Sequence, residues 1–476
     1  MKNALKFYID GKWVDPAVPK RLGVVNPSTE EVFAEISAGS AADVDKAVAA
    51  AQRAFVTFSE TSREYRLALL DKIIAEYKKR EADLAKWTSD EMGAPIDFSL
   101  AEQVWIGDAH LKRIRDVLAT YEFTHKKGKS LIVREPIGVV GLITPWNWPL
   151  NQITCKVGPA LAAGNTMILK PSEVAPFNAI IFAEIMEAAG VPPGVFNLVN
   201  GDGPGVGEAM SRHPGIDMMS FTGSTRAGIL VAKAASDTVK RVSQELGGKS
   251  ANILFPDVDF EDAVTKGINK CFSNTGQSCN APTRMLVPNG KMREVAAYAK
   301  MAAEKIKVAP ADQKGDHIGP VVSEIQYNKI QDLIQSGIDE GATLVTGGVG
   351  RPAGLNRGYF VQPTVFADVT PNMKIAREEI FGPVISIIGY DTLENAVSEA
   401  NATVYGLASY LQTKDLEKGR EIARKMRSGC VYINYPAWES DLPFGGYKQS
   451  GNGREYAEYG LEEFTEVKGI AGYEAA

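Results

Sequence analysis

The chain has 476 residues, 45% of them hydrophobic and 23% charged, enough to bury a large core spread over two or three domains. Its net charge of −6 comes with no basic stripe and no block of like charges, which argues against nucleic acid and anionic membrane as partners. Cys155, Cys271, Cys279 and Cys430 stand far apart and form no CxxC or Cys/His cluster, so neither a disulfide framework nor a zinc site is indicated.

Near the N-terminus, Asp10 and Gly11 fall where a signal peptide would need an apolar core, and no apolar run approaches a membrane span; a cytoplasmic location is expected. Residues 40–120 carry helical periodicity, as in ADVDKAVAAAQRAF and YRLALLDKIIAEYKKREADLAKW, and predict a helical layer. Between 120 and 136, YEFTHKKGKSLIVREP predicts a hairpin with a Lys-Gly-Lys tip. Short apolar runs then alternate with helical ones through IGVVGLIT, TMILK, FNAIIFAEIMEAAG, VFNLVN, GPGVGEAMSRH, MMSFTG and STRAGILVAKAASDTV. That alternation predicts βα units and a parallel, doubly wound sheet. A second α/β set spans about 250 to 445, with ANILFP, TRMLVP, MREVAAYAKMAAEKIKVA and VISIIGY among its pieces. The C-terminal TEVKGIAGY predicts one more strand, and neither it nor the hairpin has an obvious local core.

The run Phe272 to Arg284, FSNTGQSCNAPTR, surrounds Cys279 with Gly, Ser, Asn and Gln. Structural cysteines are usually buried among apolar neighbours, so this setting points to a working thiolate. With an ordinary pKa of about 8.5 a thiol is only slightly ionised at neutral pH and needs help, which the free N–H groups at a helix start can give. His110, His125, His213 and His317 all lie outside the motif, which weakens a Cys/His hydrolase reading. Glu245 in QELGGKS instead offers a carboxylate on a glycine-hinged turn. Such a group activates a thiol poorly but is a good base for water attacking a thioester. SFTGSTRAG follows an apolar strand and opens a helix, so Ser224 and the first-turn N–H groups can meet a pyrophosphate beside Gly223.

The pair ELGGKS and NTGQSCNAPTR resembles the active-site signature of the NAD(P)-dependent aldehyde dehydrogenase superfamily. PWNWP (145–149), LKPSE (169–173), FTGSTRAG (221–228), EEIFGP (378–383) and PFGGYKQSG (443–451) stand in family order across nearly the whole chain. The resemblance implies an α/β fold with a Rossmann-type cofactor domain at 1–119 and 137–247 and an α/β catalytic domain at 248–447. It also implies a small β oligomerisation arm at 120–136 and 460–476, docked on a neighbouring subunit in a homodimer or homotetramer.

For the site, the resemblance implies oxidation of an aldehyde to the acid with NAD, NADP being possible, and no metal. Cys279 is the implied nucleophile, Asn147 an oxyanion donor and Glu245 the base that hydrolyses the thioester. Thr144, Pro145, Trp146, Lys170, Glu173, Gly203, Gly223, Ser224, Leu246, Glu379 and Phe381 are the implied cofactor residues. Among them Lys170 and Glu173 face the adenosine ribose, where a carboxylate repels a 2′-phosphate, and Glu379 and Phe381 hold the nicotinamide end. Trp105, Trp148, Gln152, Cys155, Ser278 and Trp438 are the implied substrate pocket, with room made by Cys155. No Arg or Lys immediately flanks Cys279, Arg284 is expected to be structural, and Lys156 is expected as a supporting charge. The expected substrate is a medium-chain, aryl or ω-carboxy aldehyde. Gln244 departs from the family, which usually has an apolar residue there. The competing readings are a CoA-acylating enzyme, whose members usually lack the base, and a non-catalytic relative, which would have lost Cys279, Glu245 or Asn147.

Overall fold

Strands Val139–Ile143, Thr166–Lys170 and Met218–Thr222 are buried at every position, as parallel strands covered by helices on both faces must be. They are the centre of a seven-stranded sheet ordered Arg241–Glu245, Met218–Thr222, Val139–Ile143, Thr166–Lys170, Phe196–Leu198, Phe7–Ile9 and Lys12–Val14. Its first five strands are parallel, and the N-terminal pair adds an antiparallel edge. The protein is described here by a computed structural model covering residues 1–474.

Side chains alternate between the two faces of this sheet. Val140, Leu142, Met167 and Leu169 join a core with helices Arg63–Lys79, Trp105–Thr120, Pro149–Ala163 and Phe177–Ala188. Val139, Ile143, Ile168 and Met219 join another with helix Ala41–Phe58. The helical layer expected over 40–120 is thus split between the faces.

Strand order reverses between Val139–Ile143 and Met218–Thr222, because the chain builds outward from the first and then returns beside it. Ligand crevices in doubly wound sheets open at the carboxyl ends of strands at such a switch. Here those ends lead into Thr144-Pro145-Trp146-Asn147 and Gly223-Ser224.

From Glu245, the last residue of its strand, the chain passes through Leu246–Ser250 into a second seven-stranded sheet. Its order is Thr343–Thr346, Thr364–Ala367, Val384–Tyr390, Arg284–Pro288, Ala251–Leu254, Ala408–Gln412 and Cys430–Ile433, and only the first strand is antiparallel to its neighbour. Cys279 lies just before the amino end of Arg284–Pro288, so the carboxyl edge of one sheet meets the amino edge of the other around it.

The expected hairpin forms as Thr124–Lys127 and Ser130–Pro136, and Thr465–Ile470 pairs antiparallel along Ser130–Pro136 to complete a three-stranded sheet. Residues 475–476 of the implied arm lie outside the described residues. No helix among the described residues is long and apolar enough to cross a membrane.

Candidate active site

Cys279 follows a tight turn rather than opening a helix, which corrects the expectation of help from helix-start N–H groups. Asn274, Thr275 and Gly276 all take left-handed backbone conformations, with φ of 53°, 57° and 71°. Non-glycine residues adopt this region at a cost and persist there only when their surroundings hold them. The holding is visible. The Asn274 side chain donates to Asn147 O and Gln277 O, and Gln277 Oε1 accepts from Val322 N at 2.9 Å. One N–H of Asn147 Nδ2 donates to Gln277 O at 3.0 Å, leaving the second free on the wall of the cavity that Cys279 also lines.

Burial first, then the nearby carboxylates Glu379, Glu245 and Glu455, pushes the Cys279 thiol above its ordinary range. Burial, reinforced by Glu455 and opposed by Lys156 and Arg454, likewise holds the Glu245 carboxyl well above the usual carboxylate range. Neither Glu245 oxygen has a hydrogen-bond partner. A buried carboxyl free on both oxygens is a strained arrangement for structure alone but suits a base that must hold water.

The C-terminal PFGGYKQSG segment packs onto the Glu245 strand. An added Cβ at Gly451, whose φ is +108°, would stand 2.1 Å from Gln244 O, so only glycine lets the segment approach. Ser450 Oγ then donates to Gly247 O at 2.6 Å, and Leu246 N donates to Ser450 O at 2.9 Å. Gln244 points away from the site: its Nε2 donates to Gly228 O at 2.6 Å, on the preceding helix. Its neighbour Glu245 faces inward by strand alternation, so the departure from the family leaves the carboxylate in place.

Two cavities meet at Cys279 and Gln152. The first, of about 170 Å³, is walled by Pro145, Trp146, Asn147, Gly223, Ser224, Leu246, Glu379 and Phe381. Trp146 and Phe381 stand edge to face at 5.4 Å. Phe381 has φ 64°, and Gln326 Nε2 secures this segment by donating to Ile380 O and Phe381 O, both at 3.0 Å. Glu379 accepts from Gly248 N at 2.8 Å. Ser224 caps helix Thr225–Ala235. The Thr222 hydroxyl is buried on this wall without a partner. Thr144 N donates to Lys170 O, and Lys170 Nζ reaches Glu173 at 3.4 Å one strand over. The walls of the cavity suit part of a dinucleotide: N–H groups at a helix start, an unpartnered hydroxyl and the Glu379 carboxylate. Gly203 does not join them. It is exposed on its own turn and, like Thr144, Lys170 and Glu173, lies outside the walls of this cavity.

The second cavity, also of about 170 Å³, is an aromatic tunnel on the other side of Cys279, and Trp105, Trp148, Gln152, Ser278 and Trp438 all line it. Trp148 Nε1 donates to Ser278 Oγ at 2.9 Å, and Trp105 meets Trp438 edge-on at 5.4 Å. Cys155 is a correction. It is 3% exposed, lies behind the tunnel and donates to Glu455 Oε2 at 3.3 Å, so it makes no room for substrate.

The sequence reading missed Glu455. It forms a buried ion pair with Lys156 beside Cys155, and both charges bear on Glu245. Gln103 was also missed; its amide donates to Asn147 O and Asn274 Oδ1, tying the oxyanion turn to the turn before the nucleophile. Two charged tunnel residues, Glu102 and Lys270, complete the omissions. The signal for Lys270 was its place on an amphipathic helix that ends just before the nucleophile turn. Arg284 is structural as expected, with its guanidinium donating to Lys249 O, Glu399 O and Ala400 O.

The Aldehyde dehydrogenase family matches residues 13–470. A 3-succinoylsemialdehyde-pyridine dehydrogenase from Pseudomonas sp is 51% identical, over 100% of both chains. Aldehyde Dehydrogenase C of Pseudomonas syringae, solved as a mutant with NAD+ and octanal, is 53% identical with a TM-score of 0.99, covering 100% of this chain and 98% of that one. Betaine aldehyde dehydrogenase of Staphylococcus aureus, solved with NAD+, is 36% identical with a TM-score of 0.94, covering 98% and 94%. The fold and the paired cavities define an oxidoreductase of the aldehyde-oxidising class. The chain belongs to the aldehyde dehydrogenase family.

Proposed function

We propose that this chain oxidises a medium-chain, aryl or ω-carboxy aldehyde to its carboxylic acid with NAD. One observation carries the reading: Cys279 stands on the shared wall of an aromatic tunnel and a cavity lined by a helix start, Trp146, Glu379 and Phe381, with the unpartnered Glu245 carboxyl buried nearby. As thiolate, Cys279 adds to the aldehyde carbon, and the free Asn147 N–H with the Cys279 backbone N–H holds the oxyanion; each such donor contributes on the order of 3 kcal/mol. Bound NAD supplies the hydride acceptor. Loss of hydride leaves a thioester on Cys279. Glu245 then takes a proton from the water that attacks it, the acid departs, and the thiolate is restored. The Gly247-Gly248 pair beside Glu245 lets that carboxylate move between steps.

Glu173 beside Lys170 supports NAD over NADP, because a carboxylate there meets a 2′-phosphate with like charge. The tunnel's tryptophans support an apolar or aryl substrate body, in keeping with the octanal held by the Pseudomonas syringae enzyme. The division into a cofactor domain at 1–119 and 137–247, a catalytic domain at 248–447 and an arm at 120–136 and 460–476 is supported by the two seven-stranded sheets and the separate three-stranded sheet. The arm offers Val467 and Ile470 to a second copy in a dimer or tetramer. All four cysteines are free thiols, which suits the reducing cytoplasm.

The test is reduced-nicotinamide formation by wild type and Cys279→Ala, with NAD and separately NADP, against alkyl, aryl and ω-carboxy aldehydes without CoA. CoA-independent turnover lost in the mutant supports the reading. Wild-type turnover that requires CoA overturns the hydrolytic step.

A further inference from the structure

The aromatic tunnel ends in a pair of opposed charges. Of the residues lining it, only Glu102 and Lys270 are charged. Glu102 belongs to the π-helical turn Ser99–Val104. Turns of this kind re-aim side chains and recur at functional sites. This one sends Gln103 inward to the oxyanion turn while Glu102 and Trp105 face the tunnel. Lys270 comes from the last turn of helix Phe260–Phe272 and lines the tunnel; the residue as a whole is exposed, but its ammonium is partly desolvated.

A lysine in a last helical turn is ordinarily a surface residue complementing the helix dipole. Lys270 differs in where it stands. One turn earlier, Lys266 pairs with Asp262 at 2.7 Å on the same helix, so that carboxylate is already engaged. Among the described residues Lys270 forms no salt bridge, and Glu102 forms none either. Each nevertheless feels the other: Lys270 opposes the burial that raises the Glu102 carboxyl, and Glu102 opposes the burial that lowers the Lys270 ammonium. The two opposite charges line one tunnel and interact without a salt-bridge contact, so neither is neutralised by a touching partner.

We propose that Lys270 selects the far end of the substrate, holding the carboxylate of an ω-carboxy aldehyde while the aromatic wall holds its methylene chain. The proposal rests on the aldehyde-oxidising reading above and narrows its substrate class. Lys270 supplies three N–H donors on a flexible stem that can lie along the apolar wall with its head in water. Glu102 acts against it. Its carboxylate repels an acidic tail, and burial raises its pKa from the ordinary carboxylate value. An ammonium-tailed aldehyde finds the balance reversed: a like charge at Lys270 and an opposite one at Glu102.

The experiment compares kcat and KM for 6-oxohexanoate and hexanal, which match in length and differ at the far end, in wild type, Lys270→Met and Glu102→Gln. Lys270→Met is expected to lower the 6-oxohexanoate-to-hexanal ratio of kcat/KM about tenfold, the size of one charge-assisted hydrogen bond, through KM for the acid. Glu102→Gln is expected to raise the same ratio. Lys270→Arg, which keeps the charge, should retain most of the wild-type ratio. A ratio unchanged in Lys270→Met overturns the assignment, and so does an equal loss for both substrates, which would mark a structural role. Wild type that oxidises neither aldehyde overturns the dehydrogenase reading itself, and the proposal with it.

Discussion

Glu379 accepts the backbone N–H of Gly248 at 2.8 Å, bridging the catalytic loop and the segment that walls the dinucleotide cavity. The fit is tight: a Cβ added at Gly247 would stand 2.6 Å from Glu379 Oε2. Gly247→Ala is therefore expected to push the carboxylate off its position and weaken NAD binding by about tenfold, the loss of one hydrogen bond to a charged group. Fluorescence titration with NAD measures it. An unchanged Kd would remove Glu379 from the cofactor site.

Replacing Glu245 separates the two halves of the proposed reaction. Glu245→Gln keeps the shape and removes the base, so steady-state turnover should fall about 10²- to 10⁴-fold. A rapid burst of reduced cofactor, equal to the enzyme present, should survive because acylation of Cys279 does not need this carboxylate. Stopped-flow absorbance separates the phases. Loss of the burst together with turnover would place Glu245 in the first step instead.

The direction of pH dependence follows from the burial of both groups. Cys279 and Glu245 have pKa values raised above their ordinary ranges, and each reacts in its deprotonated form. A raised pKa favours the protonated, unreactive form near neutrality, so reactivity must climb as pH rises. Alkylation of Cys279 by iodoacetamide in the cofactor-free enzyme should be slow at pH 7 and accelerate steadily into the alkaline range. A profile already flat at neutral pH would show that the thiolate is stabilised by something other than these surroundings.

Lys156 and Glu455 are 1% and 7% exposed as a pair, so removing one partner strands a charge in the interior. Glu455→Leu should lower the thermal unfolding midpoint, with a cost of about 3–5 kcal/mol. Lys156→Met with Glu455→Leu should recover much of the loss, since replacing both charges with apolar groups is often close to neutral for stability. If the double variant is as unstable as the single one, the pair is held by the surrounding backbone rather than by its charges. The pH dependence of deacylation should respond too: Glu455 raises the Glu245 pKa and Lys156 lowers it, so Glu455→Leu alone should move the profile to lower pH and the double variant should move it less.

The pattern of what was legible follows from how far each signal reaches along the chain. Apolar strands buried on both faces, such as Val139–Ile143, announce themselves locally, and so does the hairpin turning at Gly128. Phe7–Ile9 and Lys12–Val14 are only three residues each, too short for alternation to register. Cys155 was misplaced because helix Pro149–Ala163 is buried all round, which leaves no polar face to show which side meets the tunnel. Glu455 carries no local mark at all. Its role depends on Lys156, which reaches it across 299 residues of chain. Gly451 is readable as a motif glycine, but its reason, the close approach to Gln244 O, exists only in three dimensions.

Strand Thr465–Ile470 pairs with Ser130–Pro136 over six residues and leaves Val467 59% and Ile470 38% exposed. The strand Thr124–Lys127 beyond is exposed at every position, so this three-stranded sheet has little core of its own. Small sheets without a packed face are marginal in water, and open strand edges invite pairing with another chain. The edge strand Cys430–Ile433 of the second seven-stranded sheet is a half-buried partner of the kind such an arm could extend. Val467→Asp with Ile470→Asp, which leaves the backbone ladder intact, is expected to convert a dimer or tetramer into monomers in analytical ultracentrifugation with little change in circular dichroism. A wild-type protein that sediments as a monomer would show that the arm closes on its own subunit.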